Sequence, residues 1–174
     1  ILLLGSAGVV TTVAVALLAG DFWPLAAIPA LGTAWLFWFF RDPDRRVPQG
    51  QGLILAPADG RVTHVDLADC APHLAAAGQA WRVSIFLSIF SCHLNRAPCA
   101  GRVERIIYHR GRFLNALRAA SAEENEQNIL IIQPDGAAKP ILVRQVAGVI
   151  ARRIVCQVRQ GDHLAAGQRF GMIK

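Results

Sequence analysis

The first forty residues carry one charged side chain, Asp21, and a charged run follows directly at 41–46. Asp21 lies between two apolar runs, 1–19 and 22–40. Because a helix rises about 1.5 Å per residue, each run can cross or nearly cross a hydrocarbon core of about 30 Å. The pattern predicts an N-terminal apolar helical hairpin over residues 1–40 and a separate domain over residues 41–174.

The end of the second apolar run indicates how the hairpin meets a membrane. Aromatic rings crowd residues 35–40, and three arginines follow within six residues. Aromatic residues favour the membrane interface and arginine favours the cytoplasmic side. We therefore expect a protein of the cell membrane whose second domain lies on the cytoplasmic face. Pro24 and Pro29 weaken the first turns of the second helix, so a spanning hairpin and one that lies in the interface both stay open.

Charge and cysteine content narrow the partners. The net charge is +6, and a basic domain near a membrane is attracted to anionic lipid. Nucleic acid is the other usual partner of a basic chain, but no recognised binding motif is present, so we expect no nucleic acid. The four cysteines form no Cys-x-x-Cys pair and no zinc-type cluster with histidine. We expect free thiols and no metal site.

Short apolar or alternating segments recur through the second domain, separated by glycine-containing turns. Strands are expected at 53–56, 61–65, 82–87, 102–108, 128–132, 141–146 and 153–158, and one short helix at 114–122. Segment 68–80 is expected to be a loop or a weak helix. Many short strands with little helix favour an antiparallel barrel or sandwich. The last stretch, 161–174, predicts a turn and a final strand whose open edge needs a partner.

Two motifs carry residues with chemical potential. Residues 56–60 (APADG) predict a tight turn at Asp59 after a strand. Taken alone, this motif favours a turn aspartate that has no chemical role. Residues 90–98 (FSCHLNRAP) place His93 and Arg96 in one short loop. Histidine can move a proton near neutral pH, and arginine can hold a carboxylate or a phosphate through two hydrogen bonds. A structural corner is the alternative for this loop.

Taken in order, several motifs resemble those of one family. They lie at 40–43, 56–60, 93–98, 101–104, 108–116, 121–126, 147–154 and 167–174. The chain resembles the β chain of a phosphatidylserine decarboxylase of the short prokaryotic type. The resemblance implies a proenzyme that continues just past Lys174 and cuts itself at a Gly-Ser bond. The serine then becomes a pyruvoyl group at the start of a short α chain, which would complete the sheet.

The resemblance also implies a reaction and its residues. Phosphatidylserine would lose carbon dioxide through a Schiff base to the pyruvoyl cofactor on the α chain, giving phosphatidylethanolamine. His93 matches the family histidine that delivers the proton, and Asp59 matches the aspartate needed for self-cleavage. Longer members carry a second histidine where this chain has Arg96, so either His93 serves both steps or the activating base differs.

Three further residues are candidates for the substrate site. Arg96 is expected to bind the carboxylate or the phosphate of the substrate, with a structural ion pair as the alternative. Asn115 and Glu126 are expected to line the pocket, although a core hydrogen bond or a solvated face explains each almost as well. A homo-oligomer of αβ units is left open.

Two other functions remain open. One is a non-catalytic, membrane-tethered β domain that acts as a binding module. The other is a pyruvoyl-dependent decarboxylase of a soluble amino acid, which the apolar hairpin disfavours because such a substrate needs no membrane.

Overall fold

The computed structural model describes residues 2–19, 26–50, 52–69, 78–116 and 120–174. The chain separates into two compact units, Ile1–Pro43 and Asp44–Lys174. The first unit contains helices α1 (Leu2–Ala19) and α2 (Ala27–Phe39), so the predicted pair of N-terminal helices is confirmed. A Cβ at Gly8 would collide with the Thr33 hydroxyl, which shows that α1 and α2 approach each other closely there.

Much of the apolar surface of these helices is uncovered. Leu17 and Leu18 are 80% and 87% exposed, and Ile28 and Leu31 are 72% and 71% exposed. Exposed apolar patches usually mark a contact with a protein or a membrane. Within the described residues, no helix is both long enough and apolar enough to cross a membrane.

The second unit is built almost entirely of antiparallel strands. The strands are β1 (Arg61–Asp69), β2 (Gln79–Phe86), β3 (Leu94–Arg96), β4 (Gly101–His109), β5 (Gln127–Pro134), β6 (Ile141–Val146), β7 (Ile154–Cys156), β8 (His163–Leu164) and β9 (Arg169–Ile173), with one short helix, α3 (Ser121–Glu124). They form a β1-β2 ribbon, a β3-β9-β7 sheet and a β6-β5-β4-β8 sheet, and every ladder between them is antiparallel. The predicted mainly β, antiparallel fold class is confirmed.

The core lies between the two larger sheets. Strand β5 is buried from Gln127 to Ile132, and it pairs with β4 and β6 along its two edges. Its apolar side chains pack with Val103 from β4 and Phe170 from β9, both at most 1% exposed. A continuous apolar run is typical of a strand that is covered on both faces.

Strand β9 differs from the expectation that the final strand has an open edge. It pairs with β3 on one side and β7 on the other, so it is the central strand of its sheet. The prediction of an open edge at the last strand was therefore wrong. Local chain direction alone does not reveal which earlier segments return to flank a strand.

Three other predicted elements also differ. Segment 53–56 is not a regular strand. The helix expected at 114–122 is reduced to α3, and part of that region, 117–119, lies outside the described residues. The expected loop at 68–80 is shorter, because the β1-β2 ladder continues to the pair Asp69↔Gln79. Of that segment, residues 70–77 lie outside the described residues.

The described cysteines are all free thiols. Cys92 is buried, whereas Cys99 and Cys156 are half-buried; Cys70 lies outside the described residues. Burial raises the pKa of the Cys99 thiol, because the thiolate would lose its hydration. Cys99 therefore behaves as an apolar side chain packed against the core.

Candidate active site

The two sequence motifs lie side by side, although they are far apart in the chain. The Leu55 amide donates to the Pro98 carbonyl at 2.8 Å, and the Arg96 amide donates to the Pro57 carbonyl at 2.9 Å. These two bonds join residues 55–57, which precede Asp59, to residues 96–98, which follow His93. In the apolar segment 53–56, the Leu55 amide thus bonds a single carbonyl, that of Pro98, instead of joining a ladder of strands. This agrees with the absence of a regular strand there.

The same loop also pairs with the approach to the last strand. The Ala97 amide donates to the Gln168 carbonyl, and the Gly167 amide donates to the Ala97 carbonyl, both at 2.8 Å. Gly167 has a φ of +76°, and a Cβ there would meet the Val47 side chain at 2.6 Å. Only glycine fits this turn without strain. Three chain segments are thus joined through residues 96–98.

Asp59 forms an ion pair with an arginine from the run that follows the helices. Its carboxylate accepts hydrogen bonds from Arg45 Nε at 3.1 Å and from Arg45 Nη2 at 2.9 Å. The hydrogen bond to Asp59 raises the pKa of the Arg45 guanidinium. Both side chains are nearly half exposed, so the pair orients Asp59 more than it stabilises the fold.

A small cavity of about 140 Å³ opens beside this ion pair. It brings together two of the predicted site residues, Asp59 and Arg96. Nη1 of Arg96 donates to the Gly167 carbonyl at 3.3 Å, which places its guanidinium at the cavity wall. The lining residues are Arg45, Arg46, Val47, Pro48, Leu55, Ala56, Asp59, Arg96 and Gly167.

His93 is buried next to the end of the last strand. Its side chain is 3% exposed, and Nδ1 lies 3.0 Å from the Ser91 carbonyl oxygen. Because a carbonyl only accepts, Nδ1 is the ring nitrogen that carries a proton in this contact. The His93 carbonyl accepts from the Ile173 amide at 3.2 Å, so His93 lies beside the final residues of β9.

Asn115 and Glu126 are not among the residues that line the cavity beside Asp59. Asn115 is exposed and Glu126 is half-buried. The Glu126 carboxylate accepts a hydrogen bond from the Tyr108 hydroxyl, and this bond raises the pKa of the Tyr108 phenol. Of these four predicted site residues, Asp59 and Arg96 line one cavity, whereas Asn115 and Glu126 do not line it.

Comparison of the sequence with those of known proteins identifies the family to which the chain is similar. The family described as phosphatidylserine decarboxylase matches residues 33–174. The chain is 42% identical over 150 residues to the phosphatidylserine decarboxylase proenzyme of Syntrophus aciditrophicus, covering 86% of this chain and 69% of that protein. It is 41% identical over 152 residues to the proenzyme of the same name from Beijerinckia indica, covering 87% of this chain and 65% of that protein.

The chain belongs to the phosphatidylserine decarboxylase family. The family resemblance and the prediction of a carboxy-lyase family are therefore confirmed. The chain spans about two thirds of the length of these curated relatives.

The sequence did not reveal a row of three buried, hydrogen-bonded amide side chains that lies beside the segment carrying His93 and Arg96. Asn128 Nδ2 donates to Gln145 Oε1 at 2.9 Å, and Gln145 Nε2 donates to Asn95 Oδ1 at 2.8 Å. The three side chains are 2%, 2% and 5% exposed. They connect β5 and β6 to β3, and we call them the amide chain. Polar residues that alternate along a strand indicate a solvated face, so the sequence did not reveal this role.

The amide chain also fits closely against the last strand. A Cβ at Gly171 would lie 2.9 Å from Gln145 Nε2. Gly171 pairs with Asn95 in the β3-β9 ladder, so Gln145 crosses β9 at the point where it reaches β3. Because Asn95 lies between His93 and Arg96, the amide chain fixes the segment that carries both residues.

Asn125 is a second buried polar residue that the sequence did not single out. It is 1% exposed, and its amide bonds the Leu114 N–H at 2.8 Å, the Leu114 carbonyl at 2.9 Å and the Ala147 carbonyl at 2.8 Å. These bonds engage both backbone groups of Leu114, which is not helical in the structure.

Replacing Gln145 should destabilise the domain and loosen the His93 segment. In Gln145→Leu, buried groups of Asn95 and Asn128 lose their partners, and we expect the free energy of unfolding to fall by about 2–4 kcal/mol. Denaturant unfolding measures the change, and the exposed Gln157→Leu is the matched control, with a change within about 0.5 kcal/mol. Equal stability of the two variants would contradict a structural role for the amide chain.

Proposed function

We propose that this chain is the β chain of a self-processed phosphatidylserine decarboxylase, which converts phosphatidylserine to phosphatidylethanolamine. One observation carries the proposal. The loop that holds His93 and Arg96 is hydrogen-bonded both to the Asp59 turn and to the strand that leads to Lys174. The family of the chain supplies the substrate, because its relatives are named for this lipid.

A partner chain belongs to this proposal. The relatives are named proenzymes, which supports a precursor that continues past Lys174 to a serine. That serine would become a pyruvoyl group on a short α chain. The pyruvoyl carbonyl supplies an electron sink for the charge that remains when carbon dioxide leaves. A buried imidazole beside the end of β9 fits such a group, because a developing carbanion needs a proton donor shielded from water.

Each candidate residue then has a distinct task. His93 Nε2 delivers a proton to the α-carbon of the substrate, while Nδ1 keeps its own proton and donates it to the Ser91 carbonyl. Arg96 binds an anionic group of the substrate. Asp59, oriented by Arg45, helps to activate the serine for self-cleavage. Asn115 and Glu126 contact a more distant part of the substrate.

The first unit would keep the enzyme at its substrate. Its exposed apolar side chains, together with the net charge of +6, support association with an anionic membrane. Binding the lipid in place avoids the cost of moving acyl chains into water, about 0.8 kcal/mol per CH₂. We propose that the second unit lies on the cytoplasmic face of the cell membrane.

Trapping tests the proposed chemistry. When enzyme expressed from the full-length precursor is treated with phosphatidylserine and borohydride, the mass of the lipid amine should add to a short companion chain. Intact mass spectrometry measures this, and phosphatidylcholine, which has no primary amine, is the control. A processed enzyme that makes phosphatidylethanolamine without any such adduct would contradict the pyruvoyl proposal.

Changing His93 should slow the reaction in processed enzyme. His93→Gln keeps an amide near the Ser91 carbonyl but cannot transfer the proton, so we expect phosphatidylethanolamine formation to fall by about 100-fold or more. The rate is measured per processed molecule, with the exposed His64→Gln as control. Wild-type turnover in His93→Gln would remove His93 as the proton donor.

Changing Asp59 should block maturation while leaving the fold intact. Asp59→Ala should accumulate as uncut precursor on a denaturing gel, because the serine is no longer activated. Asp44→Ala is the control, since it also removes a carboxylate that accepts a hydrogen bond from an exposed arginine, Arg169, at 3.2 Å. Efficient cutting of Asp59→Ala would show that the aspartate has another task.

A further inference from the structure

The geometry points to a phosphate-binding subsite in the cavity beside Asp59, in which Arg46 is the main ligand and Arg45 and Arg96 add positive charge. The inference rests on the proposed function, and it assigns the phosphodiester of the substrate to a definite place. Its chemical class is a phosphate ester anion, whether in a lipid headgroup or free in solution.

The charge balance of the cavity carries the first step. Of the described residues that line it, three are arginines and one, Asp59, is acidic. Asp59 is engaged by Arg45 through Nε and Nη2. The side chains that line this cavity of about 140 Å³ therefore carry two more positive than negative charges. Such a balance favours the binding of an anion.

Arg46 is the guanidinium available to that anion. Its side chain is exposed, and no ion pair or hydrogen bond joins it to another side chain in the part of the chain that the structure describes. Arg45 and Arg96, in contrast, are anchored to Asp59 and to the Gly167 carbonyl. Guanidinium groups hold phosphate oxygens through two parallel hydrogen bonds, so Arg46 can close on a ligand that the fixed arginines attract.

The uncharged part of the cavity identifies the ligand more closely. Val47, Pro48, Leu55 and Ala56 form an apolar wall beside the arginines. A phosphodiester carries carbon on both sides of its charge, so it can satisfy the guanidinium groups while its glycerol side covers the apolar wall. An inorganic phosphate ion has no carbon atoms to cover these apolar side chains, which would stay exposed to water. The cavity therefore fits the headgroup of a phospholipid better than inorganic phosphate.

The subsite also separates the two anionic groups of the substrate. Arg96 lines the cavity, is three residues from His93 and is hydrogen-bonded through its backbone to Pro57. Arg46 lies on the run that precedes the second unit's strands. We infer that Arg46 recognises the phosphate, and that the substrate carboxylate lies on the His93 side of Arg96.

Steady-state kinetics with matched variants test the inference. Enzyme expressed from the full-length precursor is assayed with phosphatidylserine in uncharged detergent micelles, which removes the attraction of a charged surface. We expect Arg46→Gln to raise KM about tenfold with kcat within about twofold, because the bond to the anion is made equally in the ground and transition states. Arg46→Lys should recover part of the loss. Arg61→Gln, an exposed arginine outside the cavity, should match wild type.

Competition identifies the source of the anion. Glycerophosphocholine and inorganic phosphate are added as inhibitors of wild type, Arg46→Gln and Arg61→Gln. Inhibition that weakens only in Arg46→Gln supports the subsite; inhibition by the diester alone assigns it to a lipid headgroup, and inhibition by both assigns it to phosphate in general. An unchanged KM in Arg46→Gln, or an equal rise in Arg61→Gln, would overturn the inference. A wild-type enzyme that makes no phosphatidylethanolamine would instead overturn the proposed function.

Discussion

The structure of the second unit depends on one loop, residues 96–98, that shares its backbone hydrogen bonds between two other segments. It bonds Leu55 and Pro57 on one side and Gly167 and Gln168 on the other. A buried backbone group must find a partner, so these bonds leave the loop little freedom. As a result, a motif near the start of the unit and the strand at its end lie against the same short segment, and the charged cavity forms where they meet.

Much of the fold could be predicted because its strands carry local signals. The apolar run of β5 and the alternating run of β4 indicated two strands, and both are present. The failures have a common cause, which is a long-range partner that overrides a local preference. Asn125 bonds both backbone groups of Leu114, where the helix was predicted to begin, and β3 covers an edge of β9 that the sequence left open.

The candidate site shows the same division. The residue types that chemistry requires, an imidazole, a carboxylate and a guanidinium, were visible in two motifs, and the structure places those motifs side by side. The sequence did not reveal the buried hydrogen bonds that hold the segment carrying His93 and Arg96 in place. The sequence did not single out Gln145, yet it is 2% exposed and bonded to Asn95 and Asn128. The partner that Asp59 finds in Arg45 is likewise set only by the fold.

Amide hydrogen exchange resolved to single residues in the processed enzyme tests the central claim most directly. The claim is that residues 96–98 join the Asp59 turn to the last strand. The amides of Leu55, Arg96, Ala97 and Gly167 all donate across these segments, so they should exchange slowly and lose protection together as denaturant is added. Exchange of these four amides at the rate of an unstructured chain would show that the segments are not joined, and the proposed site would then have no framework.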